Sequence, residues 1–306
     1  MALGCGHAPT PAATTRPARE GFVPVEGGRI WYRIVGNRPG TPVVYVHGGP
    51  GSTGCRGTAL AALGDRPVII YDQLGGGRSD RPADTTLWRL DRFVAEIDSL
   101  RAHLGLREIH LYGASWGATV AAEYALTHPT HESGLRSLTL AGPLLSTRMW
   151  LEDAAVLRAQ LPPAVDSALR AHEAAGTTEH PDYVAATDSF YARFYMRRPE
   201  RQIPDCVGSL SLPVYRYMWG PTEFHATGTL RDYDRFDRLP ELRLPVLLVA
   251  GEYDESRPET VRRFQARIPG ARFVEIEGSG HAILSDAPER LVEAYGAFLR
   301  EVEGRR

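Results

Sequence analysis

The sequence has 306 residues, of which 43% are hydrophobic and 24% are charged, and its formal net charge is -2. These values are ordinary for a globular protein, and the length allows one large α/β domain with an insertion or two modest domains. The small net charge argues against nucleic acid as a partner, and no apolar run reaches the length of a membrane span. Three cysteines without a Cys-x-x-Cys pair speak against a disulfide framework or a zinc site, so free thiols and no metal are expected.

Residues 1–20 are rich in Ala, Pro, Thr and Gly and show no hydrophobic periodicity. This composition predicts a disordered leader outside the fold. The segment Ala2–Cys5 is similar to the end of a bacterial lipoprotein signal, but no charged and apolar region precedes it. We therefore expect a cytoplasmic protein, and export as a lipoprotein is the alternative if the natural start lies upstream of Met1.

The first part of the folded chain predicts an antiparallel hairpin followed by buried strands. The β-rich runs Phe22–Val25 and Arg29–Val35 flank a Glu-Gly-Gly turn signal. The continuous apolar runs Pro42–Val46 and Val68–Tyr71 are typical of strands that are buried on both faces of a parallel sheet. Over Leu90–Leu104 the apolar residues recur at helical spacing, which predicts an amphipathic helix.

The segment Gly113–Gly117 has the pattern Gly-x-Ser-x-Gly, with Ser115 at its centre. A buried-strand run, Glu108–Tyr112, precedes it, and an Ala-rich helical run, Ala118–Leu126, follows it. This setting defines a nucleophile elbow, a sharp turn in which only small neighbouring side chains let the strand and the helix approach closely. We therefore predict that Ser115 is the nucleophile of an α/β-hydrolase fold.

The strand pattern continues at Ser137–Ala141, stops near Pro143 and resumes at Pro245–Ala250. The residues in between carry helical patterns and many aromatic side chains, which we interpret as a helical cap inserted between two strands of the sheet. Three further elements are predicted after it: a helix at Pro258–Ile268, a strand at Arg272–Ile276 and a closing helix at Pro288–Val302.

Strands that alternate with helices predict the α/β class, here an α/β-hydrolase fold whose mostly parallel sheet is covered by helices on both faces. The predicted domains are a disordered leader at 1–20, a hydrolase core at 21–143 and 241–306, and a helical cap at 144–240. The oligomeric state does not follow from the sequence.

A serine nucleophile needs a base that accepts its proton and an acid that orients the base. In an α/β-hydrolase these residues follow in the order Ser, Asp, His on loops after successive strands. Asp254 and His281 stand at those places, just past the strands at 246–250 and 272–276. His47 is a poorer candidate because it lies in the loop expected to form the oxyanion site, and Asp72 is poorer because it precedes the serine.

The glycine-rich segment His47–Gly51 invites comparison with a phosphate-binding loop, but it lacks the Gly-Lys-Ser/Thr ending of such loops. Glycines also let a chain turn its N–H groups toward a negatively charged oxygen, as in an oxyanion hole. We predict that the backbone N–H groups of Gly49 and Trp116 form this hole, since the residue after the nucleophile usually completes it.

Five motifs carry a resemblance to a known family: His-Gly-Gly-Pro-Gly at 47–51, Asp-Gln-x-Gly-x-Gly-x-Ser-Asp at 72–80, Gly-x-Ser-Trp-Gly at 113–117, the stretches 220–224 and 227–230, and Gly-Glu-Tyr-Asp-Glu at 251–255. Together they resemble the prolyl iminopeptidase family, most closely the branch of the tricorn-interacting aminopeptidase and the amino-acid amidases, from Phe22 to the C-terminus. Leu74 and Gly76 stand where many members have Arg and Cys, which weakens the expectation of a strict preference for proline.

The resemblance implies a serine aminopeptidase without a cofactor, acting on short peptides or aminoacyl amides with a free N-terminus that begin with proline or a small apolar residue. It also implies that Glu223 and Glu255 hold the α-amino group, as a carboxylate pair does through charge-assisted hydrogen bonds. Without the family, both glutamates would be interpreted as surface or capping charges. The alternatives are an amino-acid amidase or carboxylesterase of the same fold and a non-catalytic receptor, which the intact Ser115, Asp254 and His281 disfavour.

Overall fold

The computed structural model describes residues 19–128, 134–201 and 210–304. In this part of the chain, eight strands form one sheet in the order β1-β2-β4-β3-β5-β6-β7-β8. The strands are β1 (Glu20–Val25), β2 (Gly28–Val35), β3 (Val43–Val46), β4 (Val68–Asp72), β5 (Ile109–Ala114), β6 (Leu135–Ala141), β7 (Val246–Gly251) and β8 (Arg272–Ile276). β2 pairs antiparallel with β1 and β4, and the remaining neighbours are parallel. The predicted hairpin and the mostly parallel sheet are confirmed.

The four helices predicted by residue, at 90–104, 118–126, 258–268 and 288–302, are confirmed, and the insert is helical as expected; the short helix at Ile283–Asp286 was not predicted. The helices are α1 (Leu90–Leu104), α2 (Trp116–Thr127), α3 (Thr147–Arg158), α4 (Pro163–Ala175), α5 (Pro181–Phe194), α6 (Leu212–Met218), α7 (Pro258–Arg267), α8 (Ile283–Asp286) and α9 (Pro288–Gly304). A 3₁₀ helix, Cys55–Leu63, also follows β3. Gly105 ends α1 in the left-handed conformation, which agrees with the common role of glycine after a helix.

Successive residues of the central strands pack against opposite helical layers. Val44 and Val46 belong to the apolar cluster that contains Phe93 of α1 and Trp116 of α2. Val43 and Tyr45 belong to a second cluster, built on α9. Both faces of the sheet are therefore buried, which explains why the sequences of these strands are continuous apolar runs. The α/β-hydrolase fold predicted from the sequence is therefore observed.

Residues 144–240, called the insert from here on, connect β6 to β7. Their described part contains helices α3 to α6 and no strand of the sheet. They form an apolar cluster of their own, which includes Tyr183, Phe190 and Phe224. The two ends of the insert are joined where the Ser146 hydroxyl donates to the Asp234 carboxylate at 2.7 Å. We propose, as from the sequence, that the insert is a cap.

Two expectations need correction. Glu20, assigned to the leader, starts β1, because its carboxylate accepts hydrogen bonds from the side chains of Trp31 and Arg33, both at 3.0 Å. Arg19 also belongs to the fold, because its carbonyl oxygen accepts a hydrogen bond from the backbone N–H of Ile34 at 2.7 Å. Residues 1–18 of the predicted leader lie outside the described residues. The expectation of free thiols is also wrong for Cys55, which is disulfide-bonded. The described residues contain no other cysteine.

Across the described residues, no helix combines the length and the apolar character that crossing a bilayer would require.

Candidate active site

Ser115 lies at the turn between β5 and α2 with φ 55° and ψ -124°. Among the described residues it is the only one other than glycine with positive φ, a conformation that costs free energy and is typical of functional sites. A Cβ on Gly113 would lie 2.3 Å from the carbonyl oxygen of Gly117, and one on Gly117 would lie 2.1 Å from that of Val46. The two glycines of the motif are therefore required by close backbone packing, as predicted.

Asp254 and His281 follow the neighbouring strands β7 and β8 and are brought into contact. The Nδ1 atom of His281 lies 2.6 Å from Oδ1 of Asp254. The Asp254 carboxylate also accepts hydrogen bonds from the backbone N–H groups of Gly251 at 3.1 Å and Ser256 at 2.8 Å. An ionised carboxylate only accepts, so Nδ1 carries the hydrogen and Nε2 is left as the basic nitrogen.

His281 is fixed from several sides. Its backbone N–H donates to the carbonyl oxygen of Phe194, at the end of α5, at 2.8 Å. The Trp150 ring packs edge-on against the imidazole at 5.4 Å between ring centroids. A Cβ on Gly142, which follows β6, would lie 2.7 Å from the imidazole. The ring is thus confined by the sheet edge on one side and by the insert on the other.

A cavity of about 920 Å³ contains both Ser115 and His281. Its walls come from the sheet edge and from aromatic residues of the insert, including Tyr183, Tyr191 and Tyr215. In the described part of the chain no hydrogen bond joins Oγ of Ser115 to His281. Catalytic hydrogen bonds are commonly long without substrate and tighten in the complex, so the shared cavity is the informative observation.

A smaller recess opens beside Ser115. It is lined by Gly49, Pro50, Ser115, Trp116, Leu144, Trp150, Tyr215, Trp219, Glu223 and Leu230. Its walls are mostly apolar and aromatic, with Glu223 as the acidic residue. The volume of the recess is only about 10 Å³, room for about one water molecule, so a substrate side chain does not fit inside it.

The predicted oxyanion donors, Gly49 and Trp116, lie at the wall that Ser115 shares with the recess. Neither backbone N–H donates a hydrogen bond within the described residues. Gly49 has φ 49°, a left-handed conformation that glycine adopts readily. Both amides therefore remain available to a ligand, as the oxyanion role requires.

Sequence reasoning missed Gln73, which connects His47, two residues before Gly49, to the side chain of Trp116. Its side-chain amide donates to the carbonyl oxygen of His47 and accepts from Nε1 of Trp116, at 3.0 and 2.8 Å. Its backbone N–H donates to Nε2 of His47 at 3.0 Å, so this histidine is committed to holding the loop. Gln73 is completely buried. The signal available in the sequence was an amide side chain directly after a predicted buried strand.

Glu255 is a buried carboxylate without a hydrogen bond. It is 1% exposed, and both of its oxygens lack a hydrogen-bond partner in the described part of the chain. Oε1 lies 3.9 Å from Nε2 of His281. Burial raises the pKa of Glu255 well above its usual value. A buried carboxylate without hydrogen bonds is costly even beside a histidine, which suggests that a cationic ligand completes this site.

Glu223 lines the large cavity from the side of the insert, whereas Glu255 does not line it. Its backbone carbonyl accepts a hydrogen bond from Nε1 of Trp150 at 2.8 Å, the same tryptophan that packs on His281. Burial raises the pKa of Glu223. The two predicted amine ligands, Glu223 and Glu255, thus both lie close to His281 and contribute to its electrostatic environment.

The protonation state of His281 depends on these nearby carboxylates. Burial lowers the pKa of its imidazole, but the negative charges of Asp254, Glu255 and Glu223 more than offset this and raise it to about 9. These carboxylates therefore favour the imidazolium form near neutral pH. A cation bound between the glutamates would reduce this effect.

Metal ligation is possible at one place in the described residues. His172, His180 and Asp182, on or near α4 and α5, can bring one ligand atom each within 4.8 Å of one another. None of the three lines the cavity that contains Ser115. The arrangement of Ser115, Asp254 and His281 does not involve this cluster.

Comparison with known proteins agrees with this geometry. The family described as alpha/beta hydrolase fold matches residues 41–288. A proline iminopeptidase of Heyndrickxia coagulans is 41% identical over 288 residues, which cover 92% of this chain and 99% of the relative. The fold and the site thus place the protein among the α/β-hydrolases.

Two solved structures are also similar. A proline iminopeptidase of Mycobacterium smegmatis has 36% identity and a TM-score of 0.82, covering 92% of this chain and 98% of its own. VinJ has 36% identity and a TM-score of 0.86, covering 94% of this chain and 99% of its own. The chain belongs to the proline iminopeptidase family, and the resemblance stated from the motifs is confirmed.

Proposed function

We propose that the protein is a serine aminopeptidase that releases an N-terminal proline, or a small apolar residue, from short peptides. The observation that carries this proposal is Glu255, a buried carboxylate without a hydrogen bond, 3.9 Å from Nε2 of His281. A substrate with a free α-ammonium group would pair with Glu255 and Glu223 and bring its first carbonyl group to Ser115. The names of the relatives agree with this reaction.

In the proposed mechanism, Nε2 of His281 takes the proton of Ser115 as its Oγ attacks the first carbonyl carbon. The backbone N–H groups of Gly49 and Trp116 stabilise the negative oxygen that forms. The imidazolium then gives its proton to the leaving amine, and an acyl-enzyme remains on Ser115. Water, activated by the same imidazole, releases the amino acid.

The first residue of the substrate would lie in the large cavity, beside Ser115 and Glu223. The tyrosine and leucine side chains that line this cavity favour a compact apolar side chain such as the proline ring. Leu74 and Gly76, the two departures from the family pattern, line neither the recess nor the large cavity. We therefore propose that these departures leave the preference for proline unaffected.

The alternatives of the same fold are an amino-acid amidase and a carboxylesterase. An amidase would use the same amine contacts, whereas an esterase has no need of a buried carboxylate pair. A receptor without chemistry would gain nothing from the unfavourable backbone conformation of Ser115 or from the Asp254–His281 contact.

The test compares prolyl and alanyl anilides with their N-acetylated forms and with a simple acyl ester. Losing a buried charged partner costs about 2–5 kcal/mol, so Glu255→Gln and Glu223→Gln should each lower kcat/KM on the free-amine anilides roughly tenfold to a thousandfold. The ester should show no comparable loss, and the N-acetylated anilides should be poor substrates of the wild type. Equal losses on the amine and ester substrates would move the assignment to an esterase.

We also propose that the protein acts in the cytoplasm. Cys55 offers the contrary indication, because disulfides are more typical of oxidising compartments. Cell fractionation of a producing strain with an antibody to the protein distinguishes the two, since recovery with the membranes would favour the exported lipoprotein.

A further inference from the structure

The large cavity extends from the amine-binding glutamate to a cationic side chain. Glu223 and Ser115 line it, and it continues past Ser115 to Arg56, Tyr195 and Leu284. If the first residue lies beside Ser115 and Glu223, as the proposed function requires, the remainder of the peptide extends along this cavity.

Arg56 supplies an unpaired positive charge in this cavity. It lies in the 3₁₀ helix Cys55–Leu63, and its Nη1 donates to the hydroxyl of Tyr195 at 2.8 Å. A guanidinium group has five N–H donors, and within the described residues Arg56 forms no ion pair. Arg216, which lines the same cavity, is by contrast paired with Glu179 at 2.6 Å.

The carboxylate that influences Arg56 from nearby is already satisfied. Asp286 acts on Arg56 through its charge, but its oxygens accept backbone N–H groups from Arg197, Arg198 and Gly280 at 2.8–3.1 Å. It is 1% exposed. The guanidinium therefore remains available for an anionic ligand in the cavity.

Tyr195 fixes Arg56 relative to His281. The Tyr195 ring lies 5.9 Å from the His281 ring between centroids, and the Arg56 guanidinium carbon lies 5.4 Å from the centre of the tyrosine ring. The backbone N–H of Ala282 donates to the carbonyl oxygen of Tyr195 at 2.7 Å, which holds the tyrosine in place. In the proposed mechanism His281 protonates the leaving amine, so Arg56 lies on the side from which the leaving group departs.

We propose that Arg56 binds the α-carboxylate of the leaving peptide, so that the site recognises both ends of a dipeptide or tripeptide. Each residue spans at most about 3.6 Å, so a carboxylate one or two residues past the cleaved bond can approach the guanidinium. The glutamates hold the positive end of such a substrate and Arg56 holds the negative end. Arg and carboxylate groups form strong charge-assisted hydrogen bonds with defined geometry.

The experiment measures kcat/KM for a proline-initiated dipeptide and for the same dipeptide with an amidated C-terminus. A charge-assisted contact predicts that the wild type prefers the free acid roughly tenfold to a hundredfold. Arg56→Gln should reduce this acid-to-amide ratio to near one, and Arg56→Lys should restore part of it. Arg216→Gln is the matched control, a cavity arginine that already has a partner, and should keep the wild-type ratio.

A wild-type ratio near one would overturn the proposal, as would an equal loss on acid and amide in Arg56→Gln. The wild-type ratio needs no variant, so misfolding of Arg56→Gln leaves a decisive measurement. A rise of the wild-type KM for the acid, but not for the amide, with increasing salt would support a charge contact. Failure of the proposed function is recognised separately, because free-amine and N-acetylated anilides would then be cleaved equally.

Discussion

The edge of the sheet and the wall of the large cavity differ in how their charged groups are satisfied. At the edge, Asp254 has His281 and two backbone N–H groups as partners. At the large cavity, Arg56 has no ion pair within the described residues, and the oxygens of Glu255, which is buried behind His281, have no hydrogen bond there either. Asp254 and Glu255 are adjacent in the sequence and almost equally buried, so burial alone does not account for the difference.

This contrast indicates that the two sets of charged groups have different functions. A group that must keep one geometry through every turnover benefits from fixed partners, which hold the side chain in place. A group that must receive a substrate has to be left without a partner, at a cost in stability that ligand binding removes. We infer that the sheet edge performs the chemistry and that the unpaired cavity groups select the substrate. The predictions below test this contrast, beginning with the largest expected effect.

Removing the reactive groups should abolish turnover. Ser115→Ala and His281→Ala should each lower kcat on a prolyl anilide on the order of a thousandfold or more, and by similar amounts, because such residues act as a unit. Thermal unfolding should show that Ser115→Ala retains the fold. Near-normal activity of Ser115→Ala would contradict the mechanism, and so would inactivation of the wild type by a metal chelator.

The packing of the elbow should be intolerant of a single methyl group. Gly117→Ala would place Cβ 2.1 Å from a backbone oxygen, so we expect a loss of about 3 kcal/mol or more in the free energy of unfolding. The matched control is Gly176→Ala in the insert, where φ is 66° and the Cβ would meet no atom within 4 Å. That change should cost only about 1–2 kcal/mol, from the backbone conformation alone. Equal losses in urea unfolding would contradict this difference.

Gln73 should matter for rate more than for substrate affinity. Gln73→Leu removes the contacts to His47 and Trp116 and leaves buried polar groups unpaired, at about 1–3 kcal/mol. If these contacts position the oxyanion donors, kcat should fall roughly tenfold to a hundredfold while KM changes little. A fall in thermal stability with unchanged kcat would show that Gln73 stabilises the fold and does not position the oxyanion donors.

The pH dependence of ester hydrolysis tests the cavity charges. His281 acts as a base only after losing its proton, and its pKa is raised to about 9, so kcat/KM for an ester without an amine should rise with pH through about 9. Glu255→Gln removes one of the charges that raise this pKa. Its ester rate at pH 7 should therefore increase, by up to roughly tenfold for each unit of pKa, and should match the wild type at high pH.

An amine-bearing substrate supplies its own cation to the glutamates, so the wild-type kcat profile on a prolyl anilide should rise at lower pH than the ester profile. Superimposable ester profiles for the wild type and Glu255→Gln would show that Glu255 does not influence His281. That result would leave the role of Glu255 in binding the amine to be judged from the anilides alone.

Much of the fold could be predicted from the sequence because its strands and helices have local patterns of apolar residues. The apolar spacing over Leu90–Leu104 gave the limits of α1 to the residue, and the continuous apolar runs gave the parallel strands. The Asp254–His281 contact was also predictable, since the loops after neighbouring parallel strands meet at one edge of the sheet. The error at Glu20 arose because its partners, Trp31 and Arg33, lie on the next strand.

The states of the charged groups were decided by the tertiary structure alone. The family motif indicated a role for Glu255, but the sequence does not show that its oxygens lack hydrogen bonds while Glu179 is paired with Arg216, because a partner is defined by distance in space. The contacts of Gln73 with His47 and Trp116, and of Arg56 with Tyr195, are likewise formed only in the folded structure. Local sequence determined which strands, helices and loops form; only the packing of the insert against the sheet edge decided which polar groups are satisfied and which remain open to a substrate.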